Sequence, residues 1–310
     1  MAVKRAVPRV KTGDKNMRPL YEMKLIQLEI TNACHVKCAN CTRLVGHHRK
    51  PFFMDLDTVV KALESLEGFS GNIGLMGGEP TLHPDFAEIC RIYQRIIPDK
   101  RRRQLWTSGH KWDEYRALIE ETFDNDHIAY NDHSSSDGVH QPLLVAADDI
   151  IEDKEFMWDL IDNCWVQMRW SASITPKGCF FCEVAAAMDH VLDGPGGYPI
   201  EKGWWRKKPV DFADQVKRYC PGCSGAVPLK KESDNEKFDL VSQSNMNKLK
   251  TLGSPKILKG ACRLYEKKHT VEELKASIKD WKPQDYRTFV AHKPEDYKER
   301  IRKSETHCSG

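Results

Sequence analysis

No stretch of this chain is long and apolar enough to cross a bilayer, which takes about 20 consecutive apolar residues. The basic start, Met1 to Lys15, lacks the apolar run of a secretory signal. These absences predict a cytoplasmic protein with no membrane partner. Charge singles out no partner either. The formal net charge is +3, too little to argue for nucleic acid by itself. Short runs such as Lys230–Lys231 and Lys267–Lys268 read as solvated faces. There is no internal repeat and no low-complexity tract. What remains is a chain of 310 residues, 40% hydrophobic and 30% charged. It can bury one large core, or one core with a smaller appendage.

Cysteine, by contrast, is plentiful, with eleven in the chain. In a reducing compartment clustered thiols point to metal binding or catalysis rather than to disulfides. Their context is a strand–helix rhythm. The pattern predicts strands over 25–31, 71–76, 104–107, 127–130 and 142–146, and helices over 56–66, 84–97, 111–123 and 155–162. That alternation implies βα units around a parallel sheet. From Cys164 the rhythm changes. Residues 165–174 look strand-like, 175–178 form a turn, and the chain resumes at 179–184, so a hairpin and then a helix are expected. Beyond about 225 the chain is polar and lysine-rich, with helical spacing only around 271–278 and 294–301.

Cys34, Cys38 and Cys41 follow the first predicted strand in a C-x3-C-x2-C pattern. Three thiolates on one loop can ligate three irons of a [4Fe–4S] cube and leave the fourth iron open, as catalytic metals keep a vacant position. Zinc is the alternative, with His35, His47 or His48 as a fourth ligand. Gly77, Gly78, Glu79 and Pro80 then end the second strand. Their glycines allow close backbone approach, and their carbonyls can accept from an ammonium group.

These paired motifs resemble the radical S-adenosylmethionine (radical SAM) superfamily over roughly residues 24–165. The resemblance implies an α/β fold with a partial, TIM-like (βα)6 barrel and ligands at the carboxyl ends of the strands, where parallel α/β folds place them. It also implies cluster ligation by Cys34, Cys38 and Cys41. Gly77, Gly78, Glu79 and Pro80 would line the methionyl part of S-adenosylmethionine, and Ser108 would supply a polar contact. The residue before the third cysteine, usually aromatic in the family, is Asn40 here.

Cys179-x2-Cys182 and Cys220-x2-Cys223 have spacings that would suit structural zinc. In sequence order, Cys164, a hairpin, Cys182, a helix and a C-x2-C pair resemble the twitch domain, the shorter relative of the SPASM extension. That resemblance implies an auxiliary [4Fe–4S] cluster on Cys164, Cys182, Cys220 and Cys223, with Cys179 as the substitute ligand. The expected division is an arm (1–22), the barrel (23–163), a hairpin-plus-helix auxiliary domain (164–254) and a lysine-rich tail (255–310).

Glu29, His133, Arg169 and Glu183 are the candidate catalytic side chains, and His110 and Asn131 also stand after strands. The resemblance implies reductive cleavage of S-adenosylmethionine by an external flavodoxin- or ferredoxin-like donor, then hydrogen abstraction. The outcome would be oxidation, epimerisation or rearrangement of a small polar substrate such as an aminosugar or cyclitol. A ribosomal peptide, or a nucleoside free or in nucleic acid, is the alternative substrate. A non-catalytic zinc-binding adaptor is the rival of another class.

Overall fold

The computed structural model describes residues 17–131 and 138–282. Three βα steps and a fourth strand open the fold. Strand β1 (Leu25–Thr31) leads to helix α1 (Leu56–Ser65), β2 (Asn72–Gly77) to α2 (Phe86–Ile96), and β3 (Arg103–Thr107) to α3 (Trp112–Thr122), after which β4 (Ile128–Tyr130) completes the run. Side chains alternate between sheet faces, and the sequence exploits this. Leu28, Leu75, Leu105 and Ile128 lie in register across the four parallel strands and join the core that packs the helices. The other face carries Gln27, Glu29, Gly74, Met76, Trp106 and Ala129, with a small separate apolar cluster of Leu25, Met76, Trp106 and Ala129. One face is therefore a helix-covered core and the other a partly polar barrel interior. Asp55 caps α1 by accepting from Thr58 N at 2.8 Å. Asp85 stands at the start of α2 but makes no side-chain cap bond.

The remaining elements are β5 (Val139–His140), α4 (Ala147–Ile150), α5 (Lys154–Asp162), α6 (Trp165–Arg169), β6 (Ala172–Thr175), β7 (Gly178–Phe180), α7 (Glu183–Val191), α8 (Ala213–Tyr219), β8 (Glu232–Ser233), β9 (Asp239–Val241), α9 (Gln243–Thr251), α10 (Pro255–Leu258), β10 (Cys262–Leu264) and α11 (Val271–Asp280). Strand β6 runs parallel to β1 on its free side, and β7 returns antiparallel through the Thr175–Gly178 turn. The main sheet thus reads β4-β3-β2-β1-β6-β7. This is the mixed α/β architecture with a parallel sheet, partial and TIM-like, that the sequence leads one to expect.

Two stretches depart from the sequence reading. Residues 165–174 are not one strand. Met168 N donates to Cys164 O and Trp170 N to Val166 O, so a helical turn precedes β6 and buries Trp165 against Trp170 and Trp281. The apolar run 142–146 joins no sheet. Its backbone groups go instead to side chains near α9: Ala146 N donates to Ser242 Oγ at 2.8 Å, and Leu144 O accepts from Asn245 Nδ2 at 2.8 Å. Residues 17–22 are more than an arm, since Met17 and Leu20 enter the main core. The helix expected at 294–301 lies outside the described residues.

Candidate functional site

The first three cysteines leave the carboxyl end of β1 on one loop. Gly78 N donates to Thr31 O at 2.8 Å and Glu79 N to Ala33 O at 2.7 Å, so the end of β2 is laced to the chain that enters Cys34. A β-carbon on Gly77 would lie 2.1 Å from Thr31 O, and one on Gly78 would lie 2.3 Å from Ala33 O. The glycines therefore serve, first, the approach of these two backbones. Gly78→Ala is expected to spread the motif from the cysteine loop, lowering both thermal stability and iron retained after reconstitution. Wild-type iron content in that variant would contradict this.

Glu79 is fully buried. Its carboxylate accepts from Thr81 N at 3.1 Å, Thr107 Oγ1 at 2.8 Å, Ser108 N at 2.7 Å and Ser108 Oγ at 2.5 Å. It ties the ends of β2 and β3 together. The Ser108 hydroxyl is engaged by Glu79, so in this arrangement Ser108 positions the loop. Burial pushes the Cys34 thiol up to about 12, with the charges of Cys41 and Glu79 adding to it. Burial likewise raises Cys38, helped by Cys41, Asp234 and Cys34. A bound cation would relieve the cost of ionising Cys34 and Cys38.

A second layer, from the far end of the chain, holds this loop down. Asn40 has φ +50°, a left-handed conformation that asparagine tolerates better than most residues. Its N–H donates to Asp239 Oδ1 at 2.7 Å, and its Oδ1 accepts from Leu240 N at 2.9 Å. Asn40 thus pins the cysteine loop to β9. Lys256 Nζ donates to Cys38 O at 2.9 Å and pairs with Asp239 at 2.6 Å, while His47 joins Asp239 to Ser254. Burial alone would raise Asp239, but His47 and Lys256 outweigh it and hold the carboxyl below its ordinary value. Of these partners the sequence singles out His47 alone, as a possible fourth zinc ligand, and in the structure both its ring nitrogens are engaged by Ser254 and Asp239.

Behind the loop lies a buried group of charges. Arg43 Nη1 donates to Glu29 Oε1 at 2.9 Å, and Nη2 pairs with the Glu183 carboxylate. Ser173 Oγ donates to Glu29 at 2.7 Å, and Ser171 Oγ donates to Glu183. Burial raises Glu29 above the usual carboxylate range, against the pull of Arg43 and Ser173. Two residues after Cys41, Arg43 thus reaches the residue that follows Cys182. It joins the two cysteine regions.

The later cysteines gather elsewhere. Cys164, Cys182, Cys220 and Cys223 line one narrow apolar recess of about 30 Å³. Burial raises all four thiols; Cys223 reaches about 12. Gly225 N donates to Cys223 Sγ at 3.2 Å. Cys182 caps α7 and Cys220 follows α8. Tyr219 Oη donates to Asp189 at 2.6 Å, bracing α8 on α7, and Asn245 Nδ2 holds Gly222 O at 2.8 Å. Cys179 lies apart from the recess, paired through its backbone with Tyr198.

Other expected site residues scatter. Arg169 is exposed at the end of α6. His110 stacks on His35 at 4.3 Å, beside the cysteine loop. Asn131 N donates to Thr107 O. His133 lies outside the described residues. Gln27, fully buried on the barrel face, has neither side-chain polar atom bonded among the described residues, and the same holds for Trp106 Nε1. Among the described residues no helix is long and apolar enough to cross a membrane.

Residues 28–145 match the family described as the Radical SAM superfamily. That family implies S-adenosylmethionine and a [4Fe–4S] cluster, and the matched span contains Cys34, Cys38, Cys41 and Gly77 to Pro80. No curated protein matches the chain. Among solved structures, BtrN in complex with AdoMet and 2-DOIA is 17% identical, with a TM-score of 0.40, covering 64% of this chain and 88% of that one. An open conformation of BtrN is 18% identical, with a TM-score of 0.38, covering 69% of this chain and 97% of that one.

Proposed function

We propose that this chain is a radical SAM enzyme carrying two [4Fe–4S] clusters and acting on a small polar molecule such as an aminosugar or cyclitol. The observation that carries the reading is the lacing of the cysteine loop to Gly78 and Glu79. A metal loop and an S-adenosylmethionine-type motif, separate in sequence, share one wall. Cys34, Cys38 and Cys41 would hold the first cluster, and Gly77 to Pro80 would line the methionyl group. Loaded with both groups, such a site supplies a 5′-deoxyadenosyl radical that removes a substrate hydrogen, given one electron from a small external carrier. The chain's own part is to hold and to exclude. Glu79, Thr107 and Ser108 fix the strand ends, and Glu29 and Glu183 are kept in place by Arg43 and two serines. The buried amide of Gln27 and the indole N–H of Trp106 offer polar groups on the barrel face, which suits a hydroxylated substrate.

The fit of the second cysteine set to a cluster rests on the shared recess and on the N–H···S bond from Gly225. Four protein thiolates leave no open iron, so electron transfer is the role assigned to it. Among the described residues no three His, Cys, Asp or Glu side chains converge tightly enough for a single ion. A cube takes one thiolate per iron and so spreads its ligands more widely than tetrahedral zinc does.

Anaerobic reconstitution tests the reading. About eight irons per chain are expected for two four-iron cubes, with deoxyadenosine formed after dithionite and S-adenosylmethionine are added. Cys182→Ser should drop the iron to about half while Cys179→Ser leaves it unchanged. Absence of iron and of deoxyadenosine would instead favour the zinc adaptor.

A further inference from the structure

We propose that a pocket beside the first cysteine loop binds a ligand of the diphosphate class. The pocket lies between the loop that follows residue 47, the end of α7 and the turn after α9. It has a volume of about 500 Å³, enough for a small ligand rather than a lone water. Its composition is one-sided. Arg49 and Lys50 line it, and no acidic residue does. Neither of these two side chains has an ion pair or hydrogen bond among the described residues. A guanidinium fork beside an ammonium point charge is a combination suited to phosphate oxygens.

His190 lines the same pocket. His190 Nε2 is buried and has no hydrogen-bond partner among the described residues. Its ring is fixed by stacking on Phe52, with centroids 4.7 Å apart and planes 20° apart. An unpaired buried nitrogen carries a desolvation cost, and a small shift of the ring toward a ligand oxygen would relieve it. His48 stands 6.1 Å from His190, centroid to centroid. Its Nε2 sits 3.3 Å from Arg43 O, so that nitrogen carries the proton. Asn32, at the end of β1, completes the floor. Two unpaired cations and a fixed imidazole nitrogen offer anion recognition, while Phe52 adds an apolar wall for the body of the ligand. None of these residues is a proposed cluster ligand, and the inference stands whether or not the cluster reading holds.

Calorimetric titration of the purified full chain with inorganic pyrophosphate and with ADP, at low salt, tests it. Wild type is expected to bind pyrophosphate, with affinity falling as salt rises. Arg49→Gln and Lys50→Gln are each expected to weaken binding by roughly tenfold. Both side chains are exposed and unpaired, so melting temperature should not move. His190→Phe, which keeps the stacked ring, should weaken binding as well. Tighter binding of ADP than of pyrophosphate would identify a nucleoside diphosphate as the ligand, whereas equal binding would identify a simple diphosphate ester. No heat with millimolar pyrophosphate, or binding that survives both the double substitution R49Q/K50Q and H190F, would overturn the proposal.

Discussion

Replacing Arg43 with methionine is expected to destabilise the protein by about 3–5 kcal/mol, the usual cost of stripping one partner from buried opposite charges. The guanidinium is 5% exposed, and its two carboxylate partners, Glu29 and Glu183, are 6% and 0% exposed. Without Arg43 both carboxylates would sit in a dry interior stripped of the guanidinium that balances their charge. The loss should depend on pH in a defined direction. Glu29 already sits above its ordinary value because of burial, and removing the nearest cation raises it further. A carboxyl raised by folding contributes its stability below the unfolded value, about 4.3. That contribution is lost as pH rises through the folded value. Urea midpoints of the metal-free variant should therefore lie furthest below wild type near neutral pH and approach it near pH ~4.5. Adding Glu29→Gln should recover part of the loss at neutral pH. A deficit independent of pH, or no recovery by the second substitution, would mean that the three charges are not coupled as the distances indicate.

The same group shows how unevenly the site could be read from sequence. The first cysteine motif and Gly77 to Pro80 stand out in the sequence because each is local. A loop that must wrap a cluster, or a backbone that must pass within contact of another, imposes residue types at fixed short spacing. Helices α1, α2 and α3 and strands β1 to β4 were legible because their apolar periodicity is strong. The stretch 165–174 was not. Its aromatic and β-branched residues suit a strand, and only the tertiary contacts of Trp165 with Trp170 and Trp281 favour the helical turn. The polar shell was least legible of all. Glu29 and Glu183 could be named as acids near the site, but their common partner Arg43 could not, since ion pairing across 140 residues leaves no spacing signal. Asn40 read as a missing aromatic residue. In the structure it is a left-handed turn residue whose amide oxygen holds β9.

Lys256 is the sharpest instance, because it begins the segment that reads as a lysine-rich, solvated tail. It is only 8% exposed, and it reaches across 218 residues to the carbonyl of Cys38. Gly46 makes room for it, since a β-carbon there would lie 2.3 Å from Lys256 Cε. Lys256→Met is expected to free Cys38 O and leave Asp239 with His47 and the Asn40 N–H, costing about 3–5 kcal/mol. The first loop should then surrender its iron to a chelator about tenfold faster or more, as loss of outer-shell partners commonly weakens a metal site. Iron at the proposed second site, on Cys164, Cys182, Cys220 and Cys223, should leave at the wild-type rate. Asp239 is held below its ordinary value, so its contribution is present above about pH 3.9 and lost as pH falls through the folded value. At neutral pH the clamp is therefore intact and the comparison is fair. Gly46→Ala provides an independent route, because it displaces the lysine while leaving its charge in the chain. If both variants release iron faster from the first loop alone, the segment around Lys256 is part of the cluster site. Unchanged release in both would reduce the lysine to a structural link between β9, α10 and the loop.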